Sequence, residues 1–461
     1  MRLENKTFDE LQIGDSAELR RLVTADDLIV FAAASGNYNT VHLPGYDTDG
    51  DGSPEEMAPG MFVASLISGV LGTVLPGPGT LYRNQVLSFL ERAHAGEELV
   101  ARVTVVDKES NGVITLRTEV LRSNDDALIV NGEAQVIAPH QKYVADNIHI
   151  PGLVVQRHRH FEAIIARAAP LPALITAVVC PTEDQSLSGA LQAADDSIIA
   201  PILIGDAARI LETAARIGRD ISSYEIIDEP SDIAAARRAC ALVREGRASA
   251  VMKGHLHTDD LLRAMLDKDG GLRAGRRFTH VFVMDVPGEP EPLLVTDAAI
   301  NIAPDLKTKM DITQNAIDLA RSLDLEPRAG ILSAVETVNP DIQSSVDAAL
   351  LSKMADRGQI RGGAVDGPLA MDNAVDMGAA RTKGLKGEVA GHANILVVPG
   401  IDAGNMLAKQ LAYISHAEAA GLVLGARVPV ILNSRSDGAM SRLASCAVAA
   451  IHHFRQQEKR A

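Results

Sequence analysis

The hydrophobic pattern of the first 140 residues predicts two helices followed by a set of strands. The segment Met57–Tyr82 carries no charged residue. Its apolar part, Met61–Leu75, is shorter than the roughly 20 residues that a helix needs to cross a bilayer, so we expect a helix buried on all sides. A shorter helix is predicted over Asp26–Ser35. Apolar runs bounded by polar turn residues predict the later strands, which are Leu99–Asp107, Gly112–Leu121 and Ala127–Ile137.

The predicted strands of this region follow one another without intervening helices, which indicates an antiparallel sheet. A sheet curled around one apolar helix is the hot-dog arrangement, an α+β fold. We assign residues 1–140 to such a domain. Residues 141–152 are polar and lack hydrophobic periodicity, as is typical of a linker.

Residues 153–461 form the second predicted domain, in which apolar runs alternate with amphipathic helices. This alternation predicts an α/β fold. Because roughly 300 residues exceed one comfortable core, we expect two lobes with a cleft between them. The predicted strands are Ala173–Cys180, Ile198–Gly205, Ser249–Met252, Phe278–Asp285, Arg328–Ser333, Ile395–Val398 and Val428–Leu432. The predicted helices are Leu187–Ala194, Ala207–Ile217, Ser231–Glu245, Asp259–Leu266, Met310–Leu323 and Asp341–Arg357.

Composition and charge exclude several classes of function. The net charge is −16, whereas nucleic-acid binding requires clustered Lys and Arg. The three cysteines, Cys180, Cys240 and Cys446, lie far apart and lack metal-ligand spacing, so we expect buried thiols in a reducing compartment. The charged start MRLENKTFDE does not fit a signal peptide. We therefore expect a cytoplasmic protein that binds neither nucleic acid nor a membrane.

Loops rich in glycine and small polar residues follow several predicted strands of the second domain. Ligands of open α/β sheets bind beyond the carboxyl ends of the strands, so we expect these loops to meet at one cleft. Ser434 and Arg435 directly follow the apolar run VPVIL, and a hydroxyl beside a guanidinium suits an oxyanion such as phosphate. Lys253 and Arg263 are further cationic candidates, with a surface strand end and a solvated helix face as the alternative interpretations. The loops are 252–266, 295–306, 366–375, 402–409 and 432–445.

Known nucleotide-binding patterns do not occur in this region. Neither a GxxxxGK[ST] P-loop nor a GxGxxG fingerprint is present. Nucleoside triphosphate chemistry and a simple dinucleotide fold therefore lose support. A hydroxyacid dehydrogenase on a two-lobed scaffold would also need nicotinamide-binding and metal-binding motifs, which we do not find.

Taken in order, these segments resemble the phosphate acetyltransferase and phosphate butyryltransferase family over residues 170–456. The matching motifs are ILIGD, VMKGHLHTDDLLRA, TDAAINIAPDL, SAVETVNP, VDGPLAMDNAV, DAGNMLAKQL and SRSDGAMSRLAS. The resemblance implies two α/β lobes like those of isocitrate and isopropylmalate dehydrogenases, and a chain that self-associates. It also implies the reaction acyl-CoA + phosphate ⇌ acyl phosphate + CoA, with CoA as substrate, no bound cofactor and no metal.

The resemblance also implies roles for individual residues. Arg435 and Arg263 would hold the phosphate or acyl phosphate, and Ser434 would donate to the leaving group or to the developing oxyanion. Further residues of the predicted cleft are Lys253, Asp297, Asp372 and Asn405. Acetyl-specific members of the family carry an Asp as the presumed base for the thiol at the position of Ser441. This leaves Asp437 or the substrate phosphate as the proton acceptor, and it makes the chain resemble butyryl-type members.

The N-terminal region resembles a second family, the MaoC-like (R)-specific enoyl-CoA hydratases. The segments VFAAASGNYNTVH, APGMFVASLISGVLG and NQVLSFLERAHAGEELVARVTV carry this resemblance. The family uses an Asp and a His to activate water. Here these positions are Asn37 and His42, and an amide is not a base. We therefore favour a domain that holds acyl-CoA or mediates dimerisation, with an active hydratase as the alternative.

The sequence also bears on metal binding and on whether the chain turns over acyl-CoA. The run DTDGDG over 47–52 copies the start of an EF-hand loop, but the twelfth position is Ala58 instead of Glu, so we expect a solvated acidic loop. The second possibility concerns the whole chain. Ser441 favours an acyl-CoA sensor without turnover, whereas Ser434, Arg435 and Arg263 favour a transferase. We expect a transferase that binds acyl-CoA and phosphate and forms a homodimer or larger homo-oligomer.

Overall fold

A computed structural model describes residues 2–146, 153, 155–434 and 437–459. The chain divides into two compact units, Met1–Val155 and Gln156–Ala461. Of the predicted linker over 141–152, residues 147–152 lie outside the described part of the chain.

The described residues of the first unit form two α-helices and seven strands. In chain order they are β1 (Leu3–Glu4), β2 (Ser16–Leu22), α1 (Ala25–Ser35), α2 (Gly60–Thr73), β3 (Leu81–Phe89), β4 (Glu98–Lys108), β5 (Val113–Arg122), β6 (Leu128–Ile137) and β7 (Val144–Ala145). Five of the strands form an antiparallel sheet in the order β2-β4-β5-β6-β3, and β1 pairs with β7. The predicted antiparallel sheet is thus confirmed, while β2 and β3 were not predicted.

The apolar helix α2 packs on this sheet through residues such as Phe62, Ile67 and Val70. The expectation that it is buried on all sides is wrong. Met61, Ser65, Ser68 and Gly72, spaced three or four residues apart, form one exposed stripe. The reason is geometric: a single sheet covers one side of a helix, and small residues make the uncovered stripe inexpensive to expose.

The second unit is an α/β structure built on an eleven-stranded sheet. Its strands are β8 (Leu174–Val179), β9 (Ile199–Gly205), β10 (Ile226–Asp228), β11 (Ala250–Lys253), β12 (Thr279–Asp285), β13 (Leu293–Thr296), β14 (Arg328–Leu332), β15 (Ala364–Leu369), β16 (Ile395–Val397), β17 (Glu418–Leu424) and β18 (Val430–Ile431). Its helices are α3 (Arg159–Ala168), α4 (Asp184–Asp195), α5 (Ala207–Arg216), α6 (Asp232–Arg244), α7 (Thr258–Met265), α8 (Leu306–Ser322), α9 (Gln343–Asp356), α10 (Met371–Val375), α11 (Met377–Thr382), α12 (Ile401–Tyr413) and α13 (Ala439–Glu458).

The direction of the strands changes within this sheet. The order is β10-β9-β8-β11-β18-β17-β12-β13-β16-β14-β15. The first five strands are parallel to one another, and so are the last four. Three antiparallel pairs lie between these groups, so the two groups run in opposite directions. Their carboxyl ends therefore lie at opposite edges of the sheet.

Strand direction also divides the five glycine-rich loops. The loops that follow β11 and β18 lie at one edge of the sheet. The loops that follow β13, β15 and β16 lie at the other edge. The expectation that all five loops meet at one cleft assumed a sheet whose strands all point the same way, whereas here the loops divide between its two edges.

The cysteines and the apolar helices bear on two smaller expectations. All three cysteines are buried and form no disulfide, as predicted. Within the described residues, no helix combines the length and apolarity that a membrane crossing requires.

Candidate active site

A cavity of about 360 Å³ lies where β11 and β18 end side by side. The two strands are parallel neighbours, with Met252 opposite Ile431, so the residues that follow them are brought together by register alone. The lining residues are Lys253, Leu256, His257, Thr258, Asn433 and Ser434. The structure therefore brings together two of the predicted site residues, Lys253 and Ser434.

The cavity has the electrostatic character of an anion site. Lys253 is only 7% exposed, and its Nζ donates to the carbonyl oxygen of Gly254 at 3.2 Å. The helix α7 begins at the cavity wall, with His257 as its N-cap and Thr258 as its first residue. The N-terminus of a helix carries partial positive charge and free backbone N–H groups, which attract anions. A buried cation and a helix N-terminus thus face the same space.

The backbone of Ser434 is held on both sides. Its N–H donates to a carboxylate oxygen of Asp437 at 2.7 Å, and its carbonyl oxygen accepts from Nη2 of Arg442 at 3.0 Å. Asn433, the preceding residue, donates through its side chain to Ser445 at 2.9 Å and to Asp437 at 3.3 Å. The side chains of Asn433, Asp437, Arg442 and Ser445 thereby hold in place the segment that carries the hydroxyl of Ser434.

Asp437, a predicted candidate for the proton acceptor, lies in this network. Burial raises the pKa of its carboxyl above the ordinary value, and the nearby carboxylate of Glu418 adds to the effect. A raised pKa brings a carboxylate closer to the range in which a general base is effective. Ser441, the other position of interest, is 3% exposed, and its hydroxyl donates to Glu418.

The predicted guanidinium pair is not seen together. Arg435 lies outside the described residues. The Arg263 side chain is 76% exposed, and its Nη1 lies 3.9 Å from Asp260 on the same helix. Arg263 does not line the cavity at Ser434, so its contact with phosphate stays a prediction.

The remaining predicted cleft residues belong to the opposite edge of the sheet. Asp297 is buried, and its carboxylate accepts from the backbone N–H of Ala299 and of Ile300, each at 3.0 Å, and from the side chain of Asn301 at 2.6 Å. This carboxylate holds its own loop. Asp372 pairs with Lys383 at 3.2 Å, and Asn405 is exposed on α12.

Several residues of the site were missed by sequence reasoning. They are His257, Asn433, Arg442 and Glu418. A charged residue inside the otherwise uncharged run SRLASCAVAA was a usable signal for Arg442. Glu418 gave no signal, since it opens a strand that the pattern did not predict.

In the first unit, Asn37 and His42 lie in the loop that follows α1. The Asn37 side-chain oxygen accepts from the backbone N–H of Asn39 at 3.3 Å. Nδ1 of His42 lies 2.8 Å from the carbonyl oxygen of Met57. Because a carbonyl can only accept, Nδ1 carries a proton, and in the neutral imidazole the lone pair is then on Nε2. His42 is thus a hydrogen-bond acceptor without a carboxylate at position 37 to assist it.

The acidic loop over 47–52 is held by hydrogen bonds between its backbone N–H groups and nearby carboxylates. Oxygen atoms of Asp47, Asp49 and Glu55 lie within 4.8 Å of one another. Glu55 accepts from the backbone N–H of Thr48 and Asp49, and Asp47 accepts from Gly50 and Gly52. Backbone N–H groups of the loop therefore bind these carboxylates, and we assign no metal to them.

Comparison with known proteins identifies relatives of the second unit. The family model described as phosphate acetyl/butaryl transferase matches residues 231–450. A phosphate acetyltransferase of Rhizobium meliloti is 54% identical over 298 residues, which are 64% of this chain and 94% of that protein. Among solved structures, a branched-chain phosphotransacylase from Enterococcus faecalis V583 matches with 31% identity and a TM-score of 0.54, over 61% of this chain and 99% of the other.

A solved structure also matches in the first unit. An R-hydratase from Pseudomonas aeruginosa shares 32% sequence identity, with 34% of this chain and 99% of that chain covered and a TM-score of 0.32.

Proposed function

Because this chain belongs to the phosphate acetyl/butyryl transferase family, we propose that the cavity between β11 and β18 is where it transfers a short acyl group between CoA and phosphate. One observation carries the assignment: Lys253, the start of α7 and Ser434 surround the same cavity. These groups supply what phosphate needs, namely a cation, backbone N–H groups and a hydroxyl donor.

The reaction places charge where these groups lie. In the direction of acyl-CoA formation, the CoA sulfur attacks the acyl carbonyl carbon, a C–S bond forms, and the C–O bond to phosphate breaks. The pair of electrons from that bond leaves with the phosphate. Donors aimed at the developing charge supply most of the catalysis in such reactions. Lys253 would neutralise the departing phosphate, and Ser434 would donate to it or to the carbonyl oxygen.

The thiol proton needs an acceptor, and two candidates fit. Asp437 lies next to Ser434 and has a raised pKa because it is buried. The departing phosphate is the other candidate, since it gains negative charge as the bond breaks. Arg435 and Arg263 remain proposed phosphate ligands, and Asp297, Asp372 and Asn405 remain proposed residues of the wider cleft.

The finer expectations from the sequence belong to the same proposal. We propose that the second unit has two lobes arranged as in isocitrate and isopropylmalate dehydrogenases. We also propose that the chain self-associates, that it uses CoA as a substrate without a bound cofactor, and that it is located in the cytoplasm. Light scattering of the full chain tests the self-association.

For the first unit we propose a domain that holds acyl-CoA without hydrating it. The supporting observation is Asn37, whose amide oxygen is bonded to Asn39 and which cannot accept a proton from water. His42 offers Nε2 to a ligand but lacks the carboxylate partner. An assay of crotonyl-CoA hydration by the full chain checks this, and a rate like that of an ordinary hydratase would refute it.

The transferase assignment is tested by mixing the protein with acetyl phosphate or butyryl phosphate and CoA and following thioester absorbance. Lys253→Met is expected to lower kcat/KM for the acyl phosphate by roughly 10- to 100-fold, because a charge-assisted contact contributes about 1.5–3 kcal/mol. Lys353→Met is the matched control, since Lys353 is exposed and forms an ion pair with Asp356 at the surface of α9. Binding of CoA without turnover would instead select the acyl-CoA sensor.

A further inference from the structure

A buried guanidinium lies behind the cavity, on the first turn of α13. Arg442 is 5% exposed, and burial lowers its pKa. Its Nη2 donates to the carbonyl oxygen of Ser434 at 3.0 Å. Among the described residues no carboxylate forms an ion pair with Arg442 within 4.0 Å, although the charges of Asp437 and Glu183 act on it from farther away, and its Nε is buried without a hydrogen-bond partner. The protein therefore keeps in its interior a cation whose carboxylate neighbours among the described residues, Asp437 and Glu183, are not in direct contact with it.

Such a cation does not serve stability. Burial of a charge without a close counterion opposes folding, and an apolar side chain of similar volume is commonly as stable or more stable. Ser441, the neighbour of Arg442, also has its polar group buried, but that group has a hydrogen-bond partner. The presence of a guanidinium at this buried position points to a role in function.

The surrounding structure is shaped for this side chain. A Cβ added at Gly189 on α4 would lie 2.6 Å from Cδ of Arg442, so the absence of a side chain at 189 makes room for the arginine stem. The guanidinium then reaches the carbonyl oxygen of Ser434, while Asp437 accepts from the N–H of the same residue. Both backbone polar groups of Ser434 are thereby bound to buried or half-buried charged side chains.

We propose that Arg442 is a positioning residue of the transferase reaction: with Asp437 it fixes the backbone of Ser434 so that its hydroxyl stays at the cavity shared with Lys253. This inference rests on the proposed function of that cavity. Arg442 itself touches neither substrate. Its effect is on the rate of the chemical step, because a reacting group that shifts by about 1 Å loses roughly 100-fold in rate.

The test is Arg442→Leu in the full chain, with kcat, KM for acyl-CoA and Tm measured together. The expected result is a kcat lowered by roughly 10- to 100-fold, a KM for acyl-CoA within about twofold, and a Tm that falls less than that of the control variant below, because Arg442 leaves no directly paired carboxylate behind. Lys309→Met is the matched control, because Lys309 is equally buried but pairs with Asp347 at 2.7 Å. It is expected to lower Tm while leaving kcat of the folded protein unchanged.

Two further variants make the outcome decisive. Gly189→Ala leaves Arg442 in place but crowds its stem, and it is expected to lower kcat without changing KM for acyl-CoA. Ser434→Ala separates the two hypotheses: if it retains full kcat, the proposed function of the cavity fails. If Ser434→Ala is inactive while Arg442→Leu and Gly189→Ala keep full kcat, only the positioning role is overturned. A Tm for Arg442→Leu as low as that of Lys309→Met would assign Arg442 to the fold and also overturn it.

Discussion

The hydroxyl of Ser441 donates to the carboxylate of Glu418, which begins β17. The backbone N–H of Ala419 donates in turn to the Ser441 oxygen at 3.3 Å. The chain thus has a hydroxyl at 441, where the resemblance led us to expect an Asp in acetyl-specific relatives, and the Glu418 carboxylate reaches the same place from a neighbouring strand. Asp437 is close enough that the charge of Glu418 helps to raise its pKa.

This arrangement predicts that Ser441→Asp is destabilising. It would place a second buried carboxylate against Glu418, and two like charges raise the pKa of both groups above their values in the unfolded chain. A carboxyl with a raised pKa in the folded state contributes stability at low pH and loses it as the pH rises. We expect the free energy of unfolding at pH 8 to fall by about 3 kcal/mol relative to the wild type, and the difference to shrink toward pH 4.

Urea unfolding between pH 4 and pH 8 measures this effect. Ser441→Asn is the control, because an amide can still donate to Glu418 without adding charge. A constant difference across this pH range would show that the effect is steric and not electrostatic.

The raised pKa of Asp437 gives a second prediction. Burial disfavours its charged form, so the contribution of Asp437 to stability is present at low pH and is lost as the pH rises through the raised pKa. Asp437→Asn removes this titration, while its amide oxygen can still accept from Ser434. If Asp437 is the proton acceptor, we expect kcat to fall roughly 100-fold and the acidic limb of the pH–rate profile to disappear. A kcat within about twofold of wild type, with the limb retained, would assign the proton to the substrate phosphate.

Much of the fold was visible in the sequence, but the direction of the strands was not. Apolar runs located β8, β9 and β11, because parallel strands covered on both faces are continuously hydrophobic. By contrast, β13 and β17 pair antiparallel with β12 at the centre of the sheet. Their reversal depends on contacts between distant parts of the chain, which no local pattern records.

The candidate site was predictable to the same extent. Lys253 and Ser434 each follow an apolar run, so the rule that ligands bind beyond strand ends found them. Arg442 acts through a backbone carbonyl eight residues earlier and through the space left by Gly189. That relationship exists only after α4 and α13 have packed together.

A histidine in the centre of the sheet gives a third prediction, for stability against acid. His280 on β12 is fully buried, and burial lowers its pKa to about 4, with the nearby Asp297 opposing the effect. The unfolded chain binds a proton at this histidine below about pH 6.5, while the folded protein does not until much lower pH. Folding stability is therefore lost as the pH falls, by about 2 kcal/mol between pH 7 and pH 5.

His280→Gln removes this titration and keeps a polar side chain. We expect its free energy of unfolding to vary less between pH 7 and pH 5 than that of the wild type, as measured by urea unfolding at both values. Equal pH dependence in the two proteins would show that His280 is already charged in the folded state at pH 5.

The last prediction concerns Asn37 in the first unit. Its side chain differs from the carboxylate of Asp only in having an NH2 group in place of one oxygen. Asn37→Asp would place a carboxylate in the same loop as His42, whose Nδ1 is held by the carbonyl of Met57 so that the neutral ring offers Nε2 as an acceptor. A carboxylate can take a proton from water, and general base catalysis contributes roughly 100- to 10,000-fold. We expect the variant to hydrate crotonyl-CoA at a rate well above that of the wild type. Asn39→Asp, two residues away in the same loop, is the control and is expected to gain nothing. If Asn37→Asp also gains nothing, the first unit lacks more of a hydratase site than the single carboxylate.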